Sequence, residues 1–200
     1  MKKILQKLLC VLSLPKKCAN RWFLNQQIRR QIKRKIYPLK VLNGMDLSYM
    51  NLSGLDMRGC KICDSNLTGI KMRKTNLQGA TITRSDLSNS ILIDSNLTYV
   101  NFSDSNIQGS NMKKAILRKA NFTNADLSRS NLHDVLVDNN TNFTRANLTN
   151  AIMDEKRIRS SIIEGAIIKP ANFYDRFSIY FWCKRRERDI ELRTNKIVPI

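Results

Sequence analysis

From Leu42 onward, large apolar residues recur every five positions. The series runs Leu42, Leu47, Leu52, Met57, Ile62 and continues in that step to Val137. One residue is then inserted within Asp138-Asn139-Asn140-Thr141, and the step resumes at Phe143 and runs to Phe173. All 27 centres of the series are apolar. Five is neither the 3.6-residue period of a helix nor the two-residue period of a strand. Two residues before a centre there is usually a small residue, such as Ser65, Ala80, Ser95, Ala120 or Ala146. The residue just before the centre is often Asn or Asp, and the other two positions are mixed and polar. Two positions in five therefore face inward and three outward. That pattern predicts a short extended stretch followed by a corner, repeated as the sides of a square coil. The clearest core centres are Leu67, Leu87, Leu97, Phe102, Phe122, Leu127, Phe143 and Leu148.

Ala120-Asn121-Phe122-Thr123-Asn124, Ala125-Asp126-Leu127-Ser128-Arg129 and Ala146-Asn147-Leu148-Thr149-Asn150 repeat A-[DN]-[LF]-[ST]-x in tandem. This resembles the pentapeptide-repeat family over about Lys40 to Phe173. The resemblance implies an all-β solenoid, a right-handed quadrilateral β-helix with four repeats per 20-residue coil. About 27 repeats would make about seven coils and a rod of roughly 30 Å.

Residues 20 apart should then be stacked neighbours, where like charges are disfavoured. The column Lys74, Asp94, Lys114, Asp134 alternates in sign, and Asp64, Arg84, Asp104 does the same before neutral Asn124. Before the centres, Asp46, Asn66, Asp86, Asn106, Asp126 and Asn147 place amides between carboxylates.

Both ends are different material, as an open solenoid edge requires. Residues 1–39 read as a basic amphipathic helical extension or cap. Ile4, Leu5, Leu8, Leu9 and Leu12 share a helical face that Pro15 terminates, and Leu24, Ile28, Ile32 and Ile36 form a second stripe. Residues 40–174 are the repeat domain. Residues 175–200 form an aromatic and basic capping tail, with a helix expected over about Tyr174 to Leu192. It would cover Ile152, Ile162 and Ile167, which are apolar where the repeat is usually polar.

Charge changes the picture at the N-terminus. The chain has 35 Lys and Arg against 16 Asp and Glu. Residues 1–39 hold 11 of the cations and no acid: Lys2, Lys3, Lys7, Lys16, Lys17, Arg21, Arg29, Arg30, Lys33, Arg34 and Lys35. Residues 40–175 hold 17 and 13, and residues 176–200 hold 7 and 3. A cap needs an apolar face but not eleven uncompensated cations. The segment is read as binding an anionic partner. The leucine face, with Trp22 and Phe23 suited to the headgroup zone, favours a membrane surface over nucleic acid.

No constellation for chemistry emerges, and no cofactor is expected. Cys60-Lys61-Ile62-Cys63 is a C-x-x-C, but the repeat frame points Cys60 inward and Cys63 outward, and no second pair exists. His133, the sole histidine, follows a centre and should face solvent without a fixed partner. Five cysteines without a pairing pattern suggest the cytoplasm or another reducing compartment. The N-terminus is a weak signal peptide, broken by Lys7 and closed by Pro15-Lys16-Lys17, so secretion is the minor reading. Organelle targeting stays open, as does acylation at Cys10 or Cys18. Asn-x-Ser/Thr sequons, as at Asn66 and Asn96, are by-products of the repeat.

The function expected is that of a non-enzymatic scaffold: a rod that docks a protein partner, tethered through its basic end. The alternative comes from the resemblance, since some family members modulate type II topoisomerases as DNA mimics. The near-neutral, slightly basic rod disfavours it. The resemblance also leaves a homodimer through a terminal coil open.

Overall fold

The structure, a computed structural model, describes residues 41–154, 158 and 160–168. Parallel bridges join residues 20 apart from Val41↔Lys61 to Asn111↔Asn131 and Ile116↔Leu136. The chain thus stacks on itself in 20-residue coils, with four bridged positions per coil at Val41, Asp46, Asn51 and Asp56. Most sides are too short to count as strands. The exceptions are β1 (Asn131–Leu132) and β2 (Ile152–Met153), which pair in parallel, Asn131 with Ile152.

Each side uses the same two ladder bonds. The centre's N–H donates to the next coil, as Leu42 does to the Lys61 carbonyl at 2.7 Å. The preceding residue donates back, as Asn66 does to the Met45 carbonyl at 2.8 Å. The corners are type II turns at many positions. The N–H three residues after a centre donates to that centre's carbonyl, as Val100 does to Leu97 at 3.1 Å. Such turns need a positive φ at their third residue. Every residue at that place from Gly44 to Asp134 has it, from +52° at Lys74 to +71° at Gly54, and most of them are not glycine. No side chain there is β-branched, the class that tolerates this backbone least. The N–H of the strained residue is itself held by the next coil, as Lys74 is by the Ile93 carbonyl at 2.9 Å.

The Asn or Asp before each centre has a definite task. Its side-chain oxygen accepts the N–H two residues on, as Asn96 Oδ1 does from Thr98 at 3.1 Å and Asp126 Oδ1 from Ser128 at 2.8 Å. This Asx turn satisfies a donor that the ladder leaves over. Where the residue before the centre is Lys, a neighbouring coil substitutes. Asn43 Oδ1 accepts from Cys63 N–H at 2.9 Å, and Ser53 Oγ from Arg73 N–H at 3.2 Å.

The core is a continuous column of centres, flanked by the residues two before them. These second residues are not always small: Met50, Leu55, Ile70 and Val100 are all buried. Phe102, Phe122 and Phe143 stack along one side, with ring centroids 5.4 and 5.0 Å apart. Buried hydroxyls at the small position form their own ladder. Ser65 and Ser85 donate to the carbonyls of Leu42 and Ile62 at 3.0 and 2.8 Å. Each oxygen also accepts an N–H of the preceding coil, Met45 to Ser65 at 3.1 Å and Ser65 to Ser85 at 3.2 Å.

The inserted residue is absorbed between Leu136 and Asn142. The bridges Asn121↔Asn142 and Asp126↔Asn147 then join partners one residue further apart, and the usual spacing returns at Asn142↔Ile162. Asp138 holds this bulge. Its Oδ1 accepts the Lys119 N–H at 3.0 Å, a bond that a backbone carbonyl of the next coil makes elsewhere, and the Asn140 N–H at 3.1 Å. Thr141 fills the small inward position, donating to the Leu117 carbonyl at 3.1 Å while accepting the Asp138 N–H at 3.0 Å. Val137 is only partly buried beside this detour. Near the C-terminal end the frame changes character. Ile158 is buried, but its N–H donates to the Asp154 carbonyl at 3.2 Å in a helical turn rather than to a neighbouring coil.

Candidate interaction surface

Three outward positions per side build the surface, so its chemistry is arranged in columns along the rod. On the side whose centres include Leu67, Leu87 and Leu127, the column before the centres is the acid–amide ladder. Asn106 Nδ2 donates to Asp86 Oδ1 at 3.3 Å, and Asn147 Nδ2 to Asp126 Oδ1 at 3.1 Å. The amides separate carboxylates that would otherwise repel across adjacent coils.

On the corner column just before that side, Arg84 grips Asp64 with two bonds, at 2.7 and 2.8 Å. That hydrogen-bonded guanidinium holds the Asp64 carboxyl below its ordinary range. One coil on, Asn124 Nδ2 donates to Asp104 Oδ1 at 2.9 Å. The other alternating column behaves differently. Lys74, Asp94 and Lys114 lie in register, but no ion pair joins them among the described residues.

The residues singled out from the sequence fall as follows. Leu67, Leu87, Leu97, Phe102, Phe122, Leu127 and Phe143 are fully buried, and Leu148 is nearly so. Cys60 is buried, and burial pushes its thiol up to about 12. Cys63 is half-buried, with its Sγ 3.9 Å from the Thr81 carbonyl. His133 is exposed but not without a partner: its Nδ1 lies 2.8 Å from Asp134 Oδ2. The adjacency of His133 and Asp134 in the chain was the available signal for that pair. Ile152, Ile162 and Ile167 are exposed. The basic set from Lys2 to Lys35, the apolar set Ile4, Leu5, Leu8, Leu9, Leu12, Trp22 and Phe23, and the helices expected at both ends lie outside the described residues.

Sequence reasoning missed Tyr99 and Lys119. They sit one coil apart on the same corner column, with Lys119 Nζ 2.7 Å from the Tyr99 hydroxyl and 4.9 Å from its ring centroid. The hydroxyl raises the ammonium above the ordinary lysine value. Their place one coil apart in the repeat frame was the signal that could have found them.

A family model described as pentapeptide repeats matches at residues 41–79, 56–94 and 95–134, with eight copies of the repeat. Residues 41–134 of this chain belong to the pentapeptide-repeat family. Its members are generally structural or interaction proteins rather than enzymes, and their fold is the right-handed β-helix. Solved pentapeptide-repeat structures are similar. Rfr23 from the cyanobacterium Cyanothece 51142 is 21% identical, covering 62% of this chain and 99% of its own, with a TM-score of 0.28. HetL from Nostoc sp. strain PCC 7120, involved in heterocyst differentiation regulation, is 16% identical over 72% of this chain and 92% of its own, with a TM-score of 0.30. QnrB1, a plasmid-mediated fluoroquinolone resistance protein, is 16% identical over 72% and 86%, with a TM-score of 0.29. No curated protein matches the chain. The family assignment rests on the repeat itself.

Proposed function

We propose that this pentapeptide-repeat chain is a non-enzymatic scaffold whose rod docks a protein partner and whose basic N-terminal segment tethers it to an anionic membrane surface. The observation that carries this reading is the segregation of charge. Eleven cations and no acid lie in residues 1–39, whereas residues 40–175 are close to balanced. Each lysine near an anionic leaflet contributes about 1 kcal/mol, so such a segment suffices for peripheral attachment without a covalent anchor. Ile4, Leu5, Leu8, Leu9 and Leu12 supply the apolar face that an interfacial helix buries.

The test is flotation of residues 1–39 fused to a soluble reporter, with phosphatidylcholine vesicles that contain or lack phosphatidylserine. The fusion is expected to float with the anionic vesicles only, to be released by salt, and to lose binding when Leu8→Asp and Leu9→Asp are combined. A fusion that stays at the bottom yet retards an oligonucleotide on a gel would move the tether to nucleic acid. Binding to neither would leave the segment as a cap alone.

A further inference from the structure

Two adjacent sides of the rod carry a charge opposite to that of the acid–amide ladder. On the side with centres Met72, Leu92 and Met112, Lys71 and Arg73 face outward, with Lys74 at the following corner. Two coils further, Lys113 and Lys114 occupy the places that Arg73 and Lys74 hold. The register is set by the bridges Lys71↔Ile91 and Ile91↔Asn111, and by Asp94 N–H donating to the Lys113 carbonyl at 3.1 Å. Past the corner, the next side adds Arg118 and Lys119. Repeats two coils apart put like cations about 10 Å from each other along the rod.

These cations are uncommitted. No ion pair engages Lys71, Arg73, Lys74, Lys113, Lys114 or Arg118 among the described residues. Among the described residues the Lys119 ammonium bonds a neutral hydroxyl, that of Tyr99, rather than a carboxylate. Asp94 is the carboxylate inside the patch. Those at its margins are occupied: Asp56 by Arg58 at 2.7 Å, Asp134 by His133 at 2.8 Å, and Asp138 by the bulge it holds. Set among the cations are apolar side chains: half-buried Ile91, Ile93 and Ile116, with Leu136 40% and Tyr99 52% exposed.

We propose that these two sides form a second anion-binding surface, on the rod itself, whose shared corner rests along an anionic phospholipid bilayer. The charge is complementary to such a leaflet, and the arrangement favours it over nucleic acid. Each side of this coil is a parallel ladder running straight along the rod, so the cations line up along the shared corner and its two flanks rather than following a curved backbone. The apolar residues between them suit the headgroup boundary, where long lysine stems reach past to the phosphates. Base stacking would call for open aromatic faces, and the aromatic ring here, Tyr99, is already occupied by Lys119. The surface goes beyond the N-terminal tether and acts with or without it. Where both engage, the rod lies along the bilayer, and the corner between the other two sides, with Asp64, Asp104 and the acid–amide ladder nearby, is turned away from it.

The experiment is lysine acetylation footprinting of the full chain, read by mass spectrometry, with and without vesicles of phosphatidylcholine and phosphatidylserine. The surface predicts protection of Lys71, Lys74, Lys113 and Lys114, while Lys61 on an opposing side stays reactive. The protection should persist when Leu8→Asp and Leu9→Asp disable the N-terminal face. In that background, Arg73→Gln with Lys113→Gln is expected to weaken vesicle binding about thirty-fold. Lys61→Gln with Arg145→Gln should leave it unchanged. Protection confined to Lys2, Lys3 and Lys7 would sustain the tether and overturn the surface. Protection of the rod lysines alone would do the reverse. Protection by an oligonucleotide but not by vesicles would also overturn the surface as a membrane site.

Discussion

Serine at the small inward position plays two different parts in this rod. Ser85 Oγ donates to the Ile62 carbonyl at 2.8 Å and accepts the Ser65 N–H at 3.2 Å, so it ties its own coil to the preceding one twice over. Ser110 is equally buried, yet its hydroxyl has no partner among the described residues. Removing a hydroxyl that satisfies a buried donor costs about 1–3 kcal/mol, whereas removing an unpartnered one costs little or stabilises. Ser85→Ala should therefore lower stability in urea by that amount, and Ser110→Ala should leave it unchanged or raise it. Equal losses for both would show that the serine ladder contributes nothing. A small residue at these positions was legible from the five-residue pattern. Which serines tie coils together was not, because Ser65 and Ser85 donate to carbonyls 23 residues back, whereas Ser130 donates to the Leu127 carbonyl in its own coil.

At the scale of the single turn, the bulge at Asp138 is the point where the repeat tolerates an extra residue. Burial pushes the Asp138 carboxyl up, but hydrogen bonds from the Lys119, Asn140 and Thr141 N–H groups and the Thr141 hydroxyl outweigh it, so the group sits below its ordinary value. A carboxylate with a depressed folded value adds stability above its unfolded value, and that stability is lost as pH falls through the folded one. Asp138→Ala should thus destabilise the rod by about 1–2 kcal/mol near neutral pH. The gap to the parent should close as pH drops below about 4. A gap that stays constant from neutral pH to about pH 3 in chemical melts would rule out an ionised Asp138 as the cap. The position of the insertion could be read from the frame shift, but the identity of its cap depends on Lys119, in the preceding coil.

Over the whole molecule, each coil contacts only its neighbours, so cooperativity depends on an unbroken core column. Leu97 is fully buried among apolar side chains, and a carboxylate there has no partner and costs several kcal/mol. Leu97→Asp should abolish the cooperative melt of the rod in far-UV circular dichroism. Thr98→Lys, at the next and half-buried outward position, should shift it little. A parent-like melt for Leu97→Asp would mean that the inward register is misassigned.

Sequence alone determined the five-residue step, the inward centres, the family, the place of the insertion and the basic N-terminal segment. These are local or periodic properties: a residue every five positions is apolar because the same backbone unit recurs and buries the same place each time. Only the tertiary structure decided which side chains act on one another across coils. Arg84 closes onto Asp64, whereas Lys74 and Asp94, in an equally alternating column, form no ion pair. Sign alternation along a column makes such contacts favourable, but reach and competing partners settle whether they form. The basic patch on two sides of the rod is of the same kind. Lys71 and Lys113 are distant in the chain and share one surface because the stacking of successive coils brings their columns together.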